Sequence, residues 1–218
     1  MVNWKSSEID LSKIDTECNI NFREPDELLT PLQYFKLFFS NDMINHITEE
    51  TNLYATQQTG SSVNTNTSEI EQFFGINIMS GVIKVPSYRF YWTQHSRIEK
   101  IAEVMSRNRF DKLRTYINFA NNDNLLPRDD PNHDRLFKIR PFITALKENL
   151  KKVEIEEHLS VVEIIIPFKG RSSLKQYNQN KPHKRGIKVF AITSSCGILH
   201  DFEIYVGKGT VSDTNMGS

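Results

Sequence analysis

The spacing of apolar residues changes at about residue 158, and this change most constrains the fold. Upstream, apolar residues recur every three or four positions, as at Leu32, Phe35 and Phe39, which is the spacing of a buried helix face. Downstream, the runs LSVVEIIIPF, GIKVFAITS and GILHDFEIYVG are short and rich in β-branched and aromatic residues, as strands are. The turn signal SSCG lies between the last two runs. Helices followed by three strands indicate an α+β chain.

Several helix starts can be placed from capping signals. Capping boxes pair Thr30 with Gln33, Ser68 with Glu71 and Ser96 with Glu99, and Pro31 suits a first helical position. Two further helices are predicted, one around Phe110, Leu113 and Ile117, and one around Ile139, Ile143, Leu146 and Leu150 with Pro141 in its first turn. We expect a flexible acidic arm at 1–24, a helical domain at 25–153, a β region at 154–208 and a polar tail at 209–218.

Composition excludes several classes of protein. The 27 Lys and Arg residues balance 27 Asp and Glu residues, so attraction to nucleic acid would require local clustering of charge. Cys18 and Cys196 lie far apart and form neither a disulfide framework nor a metal motif. No run approaches the roughly 20 apolar residues that span a bilayer, so a membrane partner is not expected. The sequence indicates no metal and no other cofactor.

One stretch of the chain is strongly basic. Between Ile164 and Leu199 there is no Asp or Glu. Its cations are the candidate DNA-binding residues Lys169, Arg171, Lys175, Lys181, Lys184, Arg185 and Lys188. Such a patch suits salt-dependent contact with phosphates. An equally good interpretation is a solvated hairpin connection whose lysines keep an apolar strand soluble.

A second basic set precedes the β region and is mixed with acids. It comprises Arg97, Lys100, Arg107, Arg109, Lys112 and Arg114, with Glu99, Glu103 and Asp111 among them. This alternation predicts a helix face held by ion pairs. Nearby, Trp92 is expected to anchor the helical core, and stacking on DNA is its alternative role.

Longer blocks of the sequence resemble a known family. The blocks PLQYFKLFF, TNLYA, SYRFYW, VMSRNRFDKLRTYINFANND, FKGRSSLKQYNQNKPHKRGIKVF and DFEIYVGK are similar, in order and spacing, to those of piggyBac-type transposases and the domesticated proteins derived from them. The resemblance covers roughly Pro25 to Lys208. It implies a helical dimerisation and DNA-binding domain followed by an RNase H-like domain, in which three aspartates hold the metal ions for DNA strand cleavage and transfer.

The same resemblance places the first of those aspartates at Val162. Valine offers no lone pair to a metal, and Glu163 is a poor substitute because adjacent side chains of a strand point to opposite faces. The resemblance puts the second and third aspartates past the end of this sequence. We therefore expect an incomplete RNase H-like domain of three strands. The stretch VVEIIIPF is expected to be a core strand with one exposed glutamate, unpaired along one edge.

These features lead to two functional hypotheses. In the first, the chain is a catalytically inactive, nuclear, transposase-derived protein that binds duplex DNA or associates with itself or a related transposase-derived protein. In the second, it is a protein interaction or dimerisation module, or a decayed transposon remnant without selected function. Salt-sensitive binding to duplex DNA would distinguish the two.

Overall fold

A computed structural model describes residues 28–207 and residue 210. The expected acidic arm lies outside this part, as does all of the expected tail except Thr210. The helices are α1 (Pro31–Phe38), α2 (Asn41–Thr59), α3 (Thr67–Val82), α4 (Glu99–Ala102), α5 (Arg107–Tyr116) and α6 (Arg140–Leu150). The strands are β1 (Leu159–Pro167), β2 (Lys175–Tyr177), β3 (Arg185–Ser194) and β4 (Leu199–Ile204). Short 3₁₀ turns cover Tyr88–Trp92, Asn122–Asn124 and Phe137–Ile139.

The first helix begins as its sequence predicts, but it buries less. The Thr30 side chain accepts a hydrogen bond from the Gln33 amide, and the Gln33 side chain reaches back to the Thr30 amide. Phe35 and Phe39 are partly buried, and their rings stack with centroids 4.5 Å apart. Leu32 is 58% exposed, so its predicted place in the buried stripe is wrong.

Two other predicted capping boxes are wrong. Helix α3 starts at Thr67, and its cap is Asn66, whose side chain accepts from the Glu69 amide. An Asn in this position satisfies an orphan donor of the first turn, as Ser68 would have done for a helix that began two residues later. Ser96 instead donates its hydroxyl to the Phe90 carbonyl, and α4 is a single turn without a side-chain cap.

The longest helix of the described chain, α2, carries a weak sequence signal. Its buried residues are Met43, Ile44, Ile47, Thr48, Thr51 and Ala55. They recur at helical spacing, but two of them are threonines, which disguise the apolar stripe. The Thr48 hydroxyl donates to the Ile44 carbonyl at 2.8 Å, and this bond lets a polar residue be buried. The helix ends at Thr59, and Gly60 follows it in the left-handed conformation at φ 73°.

Two apolar clusters stabilise the helical region. One gathers buried residues from α2 to α5, with Phe73 and Phe110 stacked 5.0 Å apart at its centre and Leu113 and Ile101 fully buried. The other comprises Met43, Ile44, Ile47 and Ile70, with the rings of Phe39, Phe74 and Phe142 packed around it. Ile117 packs against both clusters, so the helices share a nearly continuous interior.

The strands form one antiparallel sheet around β3. Strand β1 pairs along one edge of β3 from Leu159 opposite Ser194 to Pro167 opposite Gly186. Strands β2 and β4 pair with different ends of β3, so they share its other edge. A Cβ atom at Gly186 would collide with the Ile166 carbonyl oxygen, so only glycine fits where β1 approaches so closely.

The structure corrects two expectations for the strands. The three expected strands are present as β1, β3 and β4, and the short β2 is additional. Strand β1 is not a core strand, because only Ile165 is buried, whereas Val161 is 73% exposed and Ile166 is 51% exposed. Among residues 28–207, β1 pairs only with β3, so its other edge is unpaired.

Helix α6 joins the helical region to the sheet. The Lys147 ammonium lies 2.7 Å from a Glu203 carboxylate oxygen and 3.3 Å from an Asp201 oxygen, both on β4. The Arg135 guanidinium donates to the Ser173 carbonyl at 2.8 Å and to the Val206 carbonyl.

Over the residues that the structure describes, every helix is too short or too polar to cross a membrane.

Candidate nucleic-acid interface

The fold gathers most of the predicted DNA-binding cations at one end of the sheet. Lys169 and Arg171 follow the end of β1, Lys175 lies in β2, and Lys181 and Lys184 lie in the loop that leads into β3. Pro167 at the end of β1 pairs with Gly186 at the start of β3, and Tyr177 of β2 pairs with Arg185. Residues that are distant in sequence thus share a small area.

Four of these cations are presented to solvent. Lys169, Arg171, Lys184 and Arg185 are all exposed. The Arg185 guanidinium lies over the Tyr177 ring, 5.6 Å from its centroid, which fixes its direction without neutralising it. Within residues 28–207, no ion pair involves any of the four. They form the exposed cation group, which is defined as Lys169, Arg171, Lys184 and Arg185.

The other three predicted contacts are used inside the protein. The Lys188 ammonium lies 2.7 Å from the Glu163 carboxylate across the β1–β3 pair. The Lys181 ammonium donates to the Glu163 carbonyl at 3.1 Å, and Lys175 donates to the Gly170 carbonyl at 3.1 Å. Lys188 is the least available of the three for phosphate, because its charge is already balanced.

Glu163 is therefore structural, and the expectation that it is exposed is wrong. Its side chain is about three-quarters buried, and its carboxylate accepts from Lys188 and from the Asn178 amide at 2.9 Å. Hydrogen bonding by Lys188 is the main cause that lowers the pKa of this carboxyl, and the Asn178 bond adds to it. The ammonium of Lys188 also lies 4.7 Å from the Phe190 ring centroid. This network fixes the loop before β3 against β1.

Val162 lies on the opposite face of β1 from Glu163. It pairs with Ala191 of β3, and its side chain is half-buried on an apolar face that also carries Ile164 and Val189. Alternation along the strand thus separates Val162 from the only carboxylate of β1, as the sequence predicts. Within the described part of the chain, no group of three His, Cys, Asp or Glu side chains is arranged around a metal-sized space.

Similarity to known proteins identifies the family. The sequence profile described as "Transposase IS4" matches residues 30–216. PiggyBac transposable element-derived protein 3 of Homo sapiens is 32% identical over 182 residues, covering 82% of this chain and 30% of that protein. PiggyBac transposable element-derived protein 2 of Homo sapiens is 34% identical over 178 residues, covering 80% and 29%. The chain belongs to the piggyBac-type transposase family.

A solved structure shows the same fold. The cryo-EM structure of a piggyBac transposase synaptic complex with hairpin DNA matches this α+β arrangement with a TM-score of 0.74 and 27% identity. The match covers 86% of this chain and 41% of the transposase chain. The piggyBac-type chain described here spans about 30% of the two human relatives, so their complete activities do not transfer with the family name.

The piggyBac-type chain uses its second basic set differently from the predicted helix face. Only Arg109 of this set forms an ion pair within residues 28–207, and its partner is Glu69 of α3, not a neighbour on its own helix. Its guanidinium makes two bonds to Glu69, at 2.8 and 2.5 Å, and also donates to the Val63 and Asn64 carbonyls. The Arg109 bond is the main cause that lowers the pKa of Glu69.

Within the part of the chain that the structure describes, the other members of that set form no ion pair, and Arg114 is stacked on an aromatic ring. Arg114 lies 4.6 Å from the Tyr88 ring centroid, and Tyr88 donates its hydroxyl to Asp111 at 2.7 Å. Arg97 and Arg107 flank a cleft beside Trp92, a feature that sequence reasoning missed. The expected core role of Trp92 is confirmed, since its indole N–H donates to the Met105 carbonyl at 2.7 Å and its ring packs near Phe110.

Proposed function

We propose that this chain is a transposase-derived nuclear protein that binds duplex DNA through phosphate contacts and does not catalyse strand cleavage or transfer. The observation that carries the proposal is the exposed cation group at one end of the sheet, in a stretch without a single acid from Ile164 to Leu199. Cations free of internal partners can release counterions from DNA without first breaking an ion pair. Binding of this type is sequence-independent.

The absence of catalysis rests on Val162. The family resemblance puts the first metal-binding aspartate there, and a half-buried valine among Ala191 and Ile164 has no atom that can ligate a divalent ion. Glu163 cannot take over this role, because it lies on the other face and its carboxylate is paired with Lys188. The similar transposase structure is a complex with DNA, which supports the DNA-binding part of the proposal.

Salt dependence of binding tests this proposal. Fluorescence anisotropy of a labelled duplex of about two turns is followed from 50 to 250 mM NaCl on two unrelated sequences. We expect similar affinities for the two sequences and a slope of log K against log salt of about −3 to −5, at roughly −0.9 for each phosphate neutralised. In the combined variant Lys169→Gln, Arg171→Gln, Lys184→Gln, the slope should flatten by about 2 to 3.

A control variant with the same charge change separates local from global effects. It combines Lys84→Gln, Arg128→Gln and Lys138→Gln, which are exposed cations of the helical region. We expect its slope to stay within about 1 of the wild-type slope. Equal flattening in both variants would contradict a localised interface, and absence of binding at 50 mM NaCl would contradict the proposal as a whole.

The unpaired edge of β1 favours a second function, association with another copy or a related transposase-derived protein. Most of the exposed side chains of β1 are apolar, and among them Val161 is 73% and Ile164 is 43% exposed. An edge strand with free donors and acceptors is a template for strand addition. We expect Val161→Lys with Ile164→Lys to shift the sedimentation of the chain towards monomer. A wild-type monomer whose Val161–Ile166 amides exchange as slowly as those of α5 would contradict association through this edge.

A further inference from the structure

A cleft in the helical region offers a second place for an anion. It lies between the 3₁₀ turn Tyr88–Trp92 and the start of α5, and its volume is about 320 Å³. Its walls are formed by Trp92, Arg97, Ala102, Ser106, Arg107 and Asn108. No carboxylate is among these residues, although Glu99 and Glu103 are close in sequence.

Hydrogen bonds hold the walls of this cleft in place. The Trp92 indole is fixed to the Met105 carbonyl, and the Ile98 amide donates to the Tyr91 carbonyl at 3.0 Å. The Ser96 hydroxyl donates to the Phe90 carbonyl at 2.8 Å, so the backbone directly before Arg97 is tied to the 3₁₀ turn. A site whose backbone is already ordered loses little conformational entropy when it binds a ligand.

The charges of the cleft are unbalanced. Arg97 and Arg107 are both exposed, and neither makes a side-chain hydrogen bond or ion pair with the rest of residues 28–207. Arg109, two residues after Arg107 in α5, differs from both, because its guanidinium is satisfied by Glu69 and two carbonyls. Two unpaired guanidinium groups that line the same cleft suit a phosphate, because each guanidinium can donate two parallel N–H bonds to the phosphate oxygens.

We propose that this cleft binds a backbone phosphate of duplex DNA through Arg97 and Arg107. The inference rests on the proposed function for its ligand, and it adds a contact on the helical region to the exposed cation group of the sheet. One further phosphate would be neutralised here, in the same sequence-independent manner. Trp92 forms the wall of the site and reports on its occupancy.

The test uses the full chain and two matched double variants. Arg97→Gln with Arg107→Gln removes the two cations of the cleft. Lys100→Gln with Lys112→Gln removes two exposed cations from the same α4–α5 segment but leaves the cleft unchanged. With a labelled duplex of about two turns, the cleft variant should flatten the slope of log K against log salt by about 1 more than the control does, equally on two unrelated sequences.

A direct readout comes from the Trp92 indole. Trp4→Phe leaves Trp92 as the only tryptophan of the sequence, so a single indole N–H signal reports from the wall of the cleft. Adding the same unlabelled duplex should shift this signal in the Trp4→Phe protein and leave it unmoved once Arg97→Gln and Arg107→Gln are added. An unchanged signal without DNA shows that the variant retains the Trp92–Met105 contact.

The possible outcomes separate this inference from the function on which it rests. If the duplex binds but neither the slope nor the indole signal responds to the cleft variant, the inference is wrong and the exposed cation group stands alone. If an acidic phosphopeptide shifts the indole signal and the duplex does not, the nucleic-acid assignment is wrong. If the wild-type chain binds no duplex at 50 mM NaCl, both proposals fail together.

Discussion

The helical region and the sheet of this chain are stabilised in different ways. All of the buried apolar side chains among residues 28–207 belong to the helical region except Ile165, Val189 and Ala191. The sheet instead depends on its main-chain ladder and on ion pairs such as Lys188–Glu163. Its apolar face, with Val162 and Ile164, is only partly covered by the described chain. The helices therefore have an interior of their own, whereas the sheet leaves much of its apolar and charged surface exposed.

This difference bears directly on function. The helical region has a buried interior that holds its helices together, and Arg97 and Arg107 are among the charged groups that it exposes. The sheet offers both kinds of surface, with cations at one end and exposed apolar side chains along β1. A DNA contact and a protein contact can therefore lie on the same sheet without sharing residues.

The largest contrast is expected from truncating one apolar side chain in each region. Leu113→Ala removes a fully buried side chain from the cluster around Phe110 and should lower the free energy of unfolding by about 2–5 kcal/mol. Ile164→Ala removes a side chain that is 43% exposed and should cost less than about 1 kcal/mol. Urea unfolding measures both. Equal losses of unfolding free energy in the two variants would show that Ile164 is buried to the same extent as Leu113, which would contradict this contrast.

A smaller loss is expected from the ion pair that ties α5 to α3. Arg109→Gln leaves the three-quarters-buried Glu69 carboxylate without its charged partner and the Val63 carbonyl without its donor. We expect the free energy of unfolding to fall by about 1–3 kcal/mol. Lys112→Gln, an exposed position of the same helix, is the control and should change it by less than about 0.5 kcal/mol. No difference between the two variants would contradict the structural role of Arg109.

The pattern of apolar residues predicts more of this fold than of its surface. Alternation placed Val162 and Glu163 on opposite faces of β1, and a 3.6-residue period located α5 and α6, because these are local properties of the chain. Helix α2 was missed because buried threonines replace apolar residues in its stripe. The partner of Arg109 lies 40 residues away in sequence, so local spacing could not show the pair.

For the candidate interface, too, local sequence patterns do not show which distant residues form contacts. The acid-free run marks the segment in which the exposed cation group lies, but the sequence could not show which cations the fold uses internally. The β1–β3 register brings Lys188 to Glu163, and the loop before β3 brings Lys181 to the Glu163 carbonyl. The two arginines of the cleft were passed over, because nearby acids in sequence suggested partners that the fold does not supply.

The smallest expected effect concerns the acid sensitivity of the sheet. Because Lys188 lowers the pKa of Glu163 from its ordinary value of 4.5, the ion pair stabilises the fold fully above about pH 4.5, and this stabilisation is lost as the pH falls through the lower, folded-state pKa. Glu163→Gln should thus cost up to about 1 kcal/mol at pH 7, and this cost should shrink as the pH falls below 4.5 and through the folded-state pKa. Glu157→Gln, at an exposed site, is the control. If the loss of unfolding free energy caused by Glu163→Gln grew as the pH fell, this prediction would be wrong.

The central claim is that the chain holds duplex DNA without cutting it, and supercoiled plasmid tests both halves in one measurement. The purified chain is incubated with plasmid and 5 mM Mg²⁺ or Mn²⁺, and each sample is run once directly and once after removal of the protein. We expect a mobility shift that 250 mM NaCl abolishes, and plasmid that remains supercoiled once the protein is removed. Metal-dependent conversion to nicked or linear plasmid, lost in Glu163→Gln, would contradict the claim, as would the absence of any shift at low salt.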